Sequence, residues 1–442
     1  MKEFIVCSLF FLLLSCNNND TLFITLPSNR TQIKFQNNLT STADLNILNY
    51  LYYYNGAGVS AADFNNDGLA DLYFTGNQIE DKLFLNLGEL KFKDITSESH
   101  INNALPWTTG VTTVDINNDG FLDIYICKVG AHNSIKGKNL LYVNQGLDNN
   151  GVPRFKEDAS NYGLDIASFA TQAVFFDYDK DGDLDLFLMN HSLYPNSNYG
   201  KGALRGQVDQ KSGDKLLENK QGKFVDVSSE VGIFQGKIGY GLGLSIGDVT
   251  NDGYPDIYVG NDFFENDYLY VNQKNKTFSE VISRDKTILG HTSHFSMGNA
   301  ISDLNNDAKM DIISLDMLPE NLKTYKTSGL EFPYQTYQYY LKNGYAPQFM
   351  QNTLHFNNGN KTFSETAHLS GIAATEWSWS PIVGDYDNDG FKDLYITNGI
   401  LGATNDMDYI NFISNEAIQK QLATEKSQRN LELSKQIPQK KV

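Results

Sequence analysis

Short apolar runs recur along the chain, and each is entered through the same kind of acidic turn. Leu72-Tyr73-Phe74, Ile124-Tyr125-Ile126, Leu186-Phe187-Leu188, Ile257-Tyr258-Val259, Ile312-Ile313-Ser314 and Leu394-Tyr395-Ile396 each directly follow an aspartate. Runs this short, rich in β-branched and aromatic residues and bounded by turn residues, predict buried strands rather than helices. A small or apolar run precedes each acidic turn, as in residues 58–62 and 171–176. A second phrase follows the first five turns: Leu83-Phe84-Leu85-Asn86 with Phe92, Leu141-Tyr142-Val143-Asn144 with Phe155, Leu216-Leu217-Glu218-Asn219 with Phe224, Leu269-Tyr270-Val271-Asn272 with Phe278, and Leu354-His355-Phe356-Asn357 with Phe363. The asparagine, with a glycine nearby in four of these copies, marks a hairpin between two outer strands.

Each unit therefore supplies four strands, with the acidic turn joining the first two. Units of this kind predict an all-β fold in which blades pack radially and protect their short edges, a β-propeller, with a β-hairpin solenoid as the competing architecture. The predicted organisation is an export signal over 1–15, a lipidated tether over 16–21, the propeller over 22–405, and a helical or truncated C-terminal segment over 406–442. The sixth unit shows only two strands. Leu22-Phe23-Ile24 and Ile33-Lys34-Phe35-Gln36-Asn37 resemble the outer pair it lacks. Residues 317–350 interrupt the fifth unit with a possible helical turn.

The acidic turns share the form Asp-x-(Asn/Asp/Thr)-x-Asp-Gly-x-x-Asp, with starts at least 52 residues apart. Oxygen ligands fall at positions 1, 3, 5 and 9, and a backbone carbonyl at position 7. The first loop offers Asp63, Asn65, Asp67, Leu69 and Asp71, and the second Asp115, Asn117, Asp119, Phe121 and Asp123. The third offers Asp177, Asp179, Asp181, Asp183 and Asp185, and the fourth Asp248, Thr250, Asp252, Tyr254 and Asp256. Asp303, Asn305, Asp307, Lys309 and Asp311 form the fifth, and Asp385, Asp387, Asp389, Phe391 and Asp393 the sixth. Alternate side chains of a tight turn converge on a point, and glycine at position 6 allows the backbone to wrap a cation. An all-oxygen, partly anionic cage suits calcium better than magnesium, so up to six calcium ions are expected. The fifth loop, Asp303 to Asp311, should be the weakest, because Ala308 stands at the glycine position. Loops three and six, with four aspartates each at the carboxylate positions, should be the tightest. An isolated copy would read as an Asx-rich turn. Six copies in one strand context carry twenty aspartates that repel one another without a cation.

The N-terminus reads as an address. Lys2 precedes an apolar run from Phe4 to Leu14, followed by Ser15-Cys16. The run is too short to span a bilayer but suits the apolar core of an export signal. A small residue directly before Cys16 matches a lipoprotein junction, so Cys16 is expected to be lipidated and the protein exported and anchored at an outer membrane or cell surface. Cys127 would then be the one thiol left, a buried apolar side chain with no disulfide partner. The formal charge of −18 argues against nucleic acid as a partner.

Tyr54-Asn55-Gly56-Ala57-Gly58-Val59 leading into Asp63, Phe295-Ser296-Met297-Gly298 before Asp303, and Trp377-Ser378-Trp379 before Asp385 resemble the FG-GAP or VCBS repeat proteins. The likeness is greatest to bacterial lipoproteins akin to the cartilage acidic protein family, over about residues 21 to 405. It implies a seven-bladed, integrin-α-like propeller with calcium loops on its lower face. It also implies a natural chain that continues beyond Val442. The literal Phe-Gly…Gly-Ala-Pro signature is largely absent, so no integrin-type partner site is carried over.

Neither a serine elbow nor a phosphate-binding or dinucleotide glycine pattern is visible. Binding of an extracellular glycan or protein, with an outer-membrane uptake complex as a further partner, is the leading function. A calcium-dependent polysaccharide lyase or hydrolase is the alternative. Trp107, Trp377 and Trp379 are candidates for a sugar-stacking platform, against core or rim packing. His291 and His294, directly before a first strand, are candidates for a ligand or base, against hydrogen-bonded loop histidines. His191 and Lys201 are weaker choices for catalysis.

Overall fold

A computed structural model of the protein describes residues 21–102, 107–130, 132, 134–193, 195–198, 200–328, 333–402, 404–414 and 426–438. The repeats fold as six antiparallel meanders. Blade one comprises Val59–Ala62, Asp71–Phe74, Lys82–Asn86 and Phe92–Asp94. Blade two comprises Thr108–Val114, Asp123–Lys128, Leu140–Leu147 and Pro153–Glu157, and blade three Ala170–Phe176, Asp185–Asn190, Lys215–Asn219 and Phe224–Asp226. Blade four runs through Gly241–Gly247, Asp256–Asn261, Tyr268–Asn272 and Phe278–Glu280, and blade five through Asn299–Ser302, Asp311–Ser314, Thr353–Asn357 and Phe363–Glu365. Blade six has Ser378–Gly384 and Asp393–Asn398. In the five complete blades the strands pair in chain order.

First strands of successive blades pack against one another from blade one to blade six. Residues at or beside all six first strands border one axial cavity, from Gly58 in blade one through Thr109, Thr171, Gly243 and Asn299 to Ser380 in blade six. This arrangement is an all-β propeller. It explains why the second strands read as continuous apolar runs: those of blades two to five are covered on both faces. In blade two, Ile124 and Ile126 pack toward blade one with Tyr73 and Leu83. Tyr125 and Cys127 point the other way, into a cluster with Ala173 and Leu188 of blade three. Alternation along one strand thus feeds two inter-blade cores.

Blade six departs from this pattern. Its second strand is only partly buried, whereas those of blades two, three and four are fully buried. Leu22–Ile24 and Ile33–Asn37 do not supply its outer strands. Phe23 packs edge-on against Tyr386 and Tyr395 of blade six, at 5.3 and 5.2 Å between ring centroids. Beyond the short helix Ser28–Thr31, Phe35 stacks on Phe74 of blade one. Asn37 is held by Asn77, accepting its backbone N–H at 3.0 Å. The segment is drawn across two blades by its rings and amide rather than into a ladder.

Strand polarity sorts the two ends of the ring. Gly384 pairs with Asp393 beside the acidic loop of blade six, while Ser378 pairs with Asn398 at the far end. The starts of first strands and the ends of second strands therefore lie opposite the acidic loops. An aromatic cluster that includes Tyr50, Tyr52, Tyr53, Trp107, Tyr240 and Tyr345 is packed with residues from this end of the blades. Helices Leu322–Thr327 and Tyr334–Lys342 occupy the insertion in blade five, and Tyr340 joins that cluster. Helices Met407–Ser414 and Lys426–Ser434 follow the last strand. Among the described residues, no helix is long and apolar enough to cross a membrane.

Candidate metal centres and the opposite face

All six acidic loops adopt one backbone path. Position 4 is left-handed in each, at Asn66, Asn118, Lys180, Asn251, Asn306 and Asn388, and so is position 6. Five of the latter are glycine. The sixth is Ala308, with φ of +64°, so loop five keeps the geometry of the others despite its Cβ. Its hydrogen bonds match as well: Asp303 accepts the N–H groups of Asp307 and Ala308 at 3.0 and 2.9 Å, as Asp63 accepts those of Asp67 and Gly68.

The aspartate at position 9 is the pin of each loop. In blade one, Asp71 accepts the Phe64 N–H across the loop at 3.1 Å and the Asn86 N–H of the third strand at 2.7 Å. Asp123, Asp185, Asp256 and Asp311 repeat both bonds. Asp393 makes the first, with Tyr386. A carboxylate has about four lone-pair sites, so each pin keeps capacity for a cation. Burial, with the other aspartates of the same loop adding to it, pushes Asp71 and Asp123 up to about 6, and Asp185 and Asp256 up to about 7. A divalent ion among these oxygens would favour the charged form instead.

The loops differ where their sequences differ. In loops three and six, carboxylate oxygens of positions 1, 3 and 9 lie within 4.8 Å of one another: Asp177, Asp179 and Asp185, and Asp385, Asp387 and Asp393. Loop three also holds buried oxygens without a hydrogen-bond partner, Oδ1 of Asp177 and Oδ1 of Asp183. Unpaired anionic oxygens facing a common turn are costly alone and suit a hard cation. Asp179 is instead ion-paired with Lys276 from blade four. In loop four the Thr250 hydroxyl stands 3.4 Å from both Asp248 and Asp256. In loop five the Lys309 ammonium lies 2.7 Å from Asp307 and holds its carboxyl below the ordinary range.

Neighbouring loops are tied together. Asn66 donates to the carbonyl of Gly120 at 3.0 Å, and Asn306 to that of Gly390 at 2.8 Å. Lys180 of loop three sits over the Tyr254 ring of loop four at 4.8 Å. A second staple, absent from the sequence reading, lies at the other end of each complete blade. An Asp or Asn just before the third strand accepts the N–H five residues beyond the pin: Asp81 from Gly76, Asn139 from Lys128, Asp214 from Asn190, Asp267 from Asn261 and Asn352 from Asp316. The signal was present as (Asp/Asn)-x-Leu-x-x-Asn in all five copies.

On the face opposite the loops, Trp107 and Trp379 border one cavity with His191, Trp377 pairs with Trp379, and His291 and His294 do not join them. Trp107, 1% exposed, lines the axial cavity of about 330 Å³ and packs on Tyr50 and Tyr53. Trp377 and Trp379 lie on the same side of their segment, ring centroids 6.5 Å apart and 24° from parallel. Trp379 borders both the axial cavity and an adjoining one of about 260 Å³. His294 is buried, bonded to Gln348 through Nδ1, and desolvation holds it down to about 4. His291 packs on Phe349, 3.6 Å from Glu365. His191 lines the axial cavity, with Tyr50 and Thr171 against its two ring nitrogens, and burial holds it down to about 3. Cys127 is buried and its thiol is pushed above the range of a reactive thiolate. Cys16 lies outside the described residues.

Comparison with known proteins agrees with this architecture. A model of the FG-GAP-like repeat matches residues 63–126, 248–314 and 345–396. Cartilage acidic protein 1 of Homo sapiens is 30% identical over 136 residues, covering 30% of this chain and 20% of that protein. The Xenopus tropicalis protein of the same name is 25% identical over 138 residues, 31% of this chain and 20% of that one. The similarity thus spans about a fifth of the length of these relatives. Among solved structures, an Agrocybe aegerita lectin specific for non-reducing terminal N-acetylglucosamine has a TM-score of 0.34 at 14% identity, covering 77% of this chain and 70% of that one. The V. cholerae biofilm matrix protein Bap1 has a TM-score of 0.29 at 14% identity, covering 61% and 36%. The chain folds as a propeller, three stretches of it match the FG-GAP-like repeat, and about a third of it is similar to cartilage acidic protein 1.

Proposed function

We propose that this chain is a calcium-stabilised, exported propeller, anchored through a lipid on Cys16 at an outer membrane or cell surface, that binds an extracellular glycan or protein. The observation that carries the calcium reading is loop three, where carboxylate oxygens of Asp177, Asp179 and Asp185 lie within 4.8 Å of one another and Oδ1 of Asp177 is buried without a hydrogen-bond partner. The left-handed residues shared at positions 4 and 6 of all six loops extend it to the array. Calcium then acts as a clamp at the base of each blade, neutralising charge that the fold itself concentrates.

A glycan is the favoured ligand because of the axial cavity. Its described lining holds aromatic rings, amides and hydroxyls, and no Asp, Glu, Lys or Arg. Rings that stack on the apolar face of a sugar, with Gln172 and Asn299 for its hydroxyls, suit a neutral saccharide end. Buried polar atoms without partners, Oε1 of Gln172 and Nδ2 of Asn299, border the same space. Screening calcium-loaded protein on a glycan array, followed by product analysis of any hit, tests the reading. Saturable binding with intact products supports a binder, cleaved or unsaturated products assign an enzyme, and an empty array removes the glycan.

A further inference from the structure

The adjoining cavity differs from the axial one in a single respect that changes its chemistry: it contains a carboxylate. Asp262 follows the second strand of blade four, six residues beyond the pin Asp256, at the place that His191 occupies in blade three. It is 8% exposed, and it is the one charged side chain among the described residues lining a space of about 260 Å³. Its Oδ1 accepts the Phe263 N–H at 2.7 Å, and its Oδ2 accepts no hydrogen bond from the described residues. The charge that most affects it is the carboxyl of Asp316, of the same sign. Asp316 is itself satisfied by the N–H groups of His294, Phe295, Met317 and Gln351.

The walls of this cavity combine rings, among them Tyr52, Tyr54, Phe263, Phe295, Trp377 and Trp379, with aliphatic side chains such as Leu51, Leu242 and Ile400. The Tyr52 hydroxyl is buried without a partner. A lone carboxylate in such a setting costs free energy unless it takes up a proton or a cation meets it, and burial pushes Asp262 up to about 7. Aromatic faces attract cations, by about 2 kcal/mol or more where water is excluded. Sugar hydroxyls could bond the free oxygen but would leave its charge uncompensated. An inorganic cation would lack the further oxygen ligands that it needs. Only an organic cation uses both the carboxylate and the rings.

We propose that this cavity binds a small alkylammonium ion, with Asp262 as its counter-ion and Trp377, Trp379, Phe263 and Phe295 as its aromatic wall. The site is distinct from the axial cavity, although Tyr52, Asn55, Leu242, Met297 and Trp379 border both. It stands independently of the glycan reading. An N–H-bearing ion gains the Tyr52 hydroxyl as a second acceptor, and a quaternary ion relies on the rings.

Calorimetric titration of the calcium-loaded full chain with choline, with ethanolammonium, and with neohexyl alcohol, the uncharged carbon isostere of choline, tests this. Saturable binding of at least one ammonium ion is expected, with the isostere weaker by about tenfold or more, ~1.4 kcal/mol. Asp262→Asn keeps the acceptor for Phe263 and should weaken the cation by about tenfold without weakening the isostere. Equal affinity for choline and its isostere, absence of saturable binding by either ion, or a folded Asp262→Asn protein that binds the cation undiminished would overturn the proposal. The comparison of choline with its isostere on the unaltered protein needs no variant to fold.

Discussion

The side-chain amide of Asn272 donates to the backbone carbonyl of Tyr178 at 2.8 Å, joining the third strand of blade four to the acidic loop of blade three. Asn144 does the same to Phe64, and Asn357 to Val249. Each asparagine also bonds the carbonyl just before its own blade's pin, at Pro255, Leu122 or Met310. One residue type thus closes its own hairpin and fastens its blade to the preceding one.

Asn272→Ala removes both amide bonds and leaves buried carbonyls unsatisfied, which costs about 1–3 kcal/mol. Urea unfolding of the variant should show a lowered midpoint. Asn219→Ala, which removes an amide bond to Leu184 within its own blade, should cost less.

Ala308 holds a left-handed conformation at a cost of roughly 1–2 kcal/mol, partly offset because glycine loses more chain entropy on folding. Ala308→Gly should therefore stabilise the protein by up to about 1 kcal/mol. Lys309→Leu should raise calcium affinity at the same loop, because it frees Asp307 from an ammonium 2.7 Å away. Calorimetric calcium titration of the two variants distinguishes strain from charge.

Asp214 is buried at the end of blade three remote from the loops, and desolvation pushes it up to about 7 against the opposing effects of the Asn190 N–H and then Lys215. The folded state then holds a proton that the unfolded chain has lost, across pH of about 4 to 7. Stability from this group is present at the acid end and falls as pH rises through that window. Asp214→Asn keeps the acceptor for Asn190, as Asn139 and Asn352 already do in blades two and five. The variant should match the parent near pH 4 and exceed it by roughly 1–3 kcal/mol near pH 8. Unfolding curves in saturating calcium would measure the slope, and an unchanged slope would show that Asp214 is ionised throughout.

Loops three and six should fill first and empty last, and loop five should lag. Anomalous scattering from crystals equilibrated at graded calcium would show the order. Full occupancy in loop five beside a vacant loop three would reverse it.

Much of this was legible because the fold repeats. Acidic loop, apolar second strand and Leu-x-x-Asn phrase stand out through recurrence at fixed offsets, so the strands, the blades and the loops follow from spacing alone. Ala308 was visible as the exception, though not that its loop would keep the common path. The staple at Asp81, Asn139, Asp214, Asp267 and Asn352 escaped because two residue types with the same acceptor share the position. The aromatic cluster around Tyr50 to Tyr53 comes from a short 3₁₀ turn with no periodicity to betray it. Leu22–Ile24 and Ile33–Asn37 have strand-like composition, yet Phe23 and Phe35 are engaged by different blades. Asp262 could not be singled out, since only the packing of successive blades sets it among the rings of blades four, five and six.

The most direct test of calcium as the clamp is the urea-unfolding midpoint of the full chain, measured from EDTA up to millimolar free calcium at fixed pH. The predicted result is a midpoint that is lowest in EDTA and climbs with calcium, as the unfolding free energy rises by ~1.4 kcal/mol per decade for each site beyond its dissociation constant. Several sites acting together would make the rise steeper than one ion can produce. A midpoint that does not move between EDTA and millimolar calcium would contradict the claim.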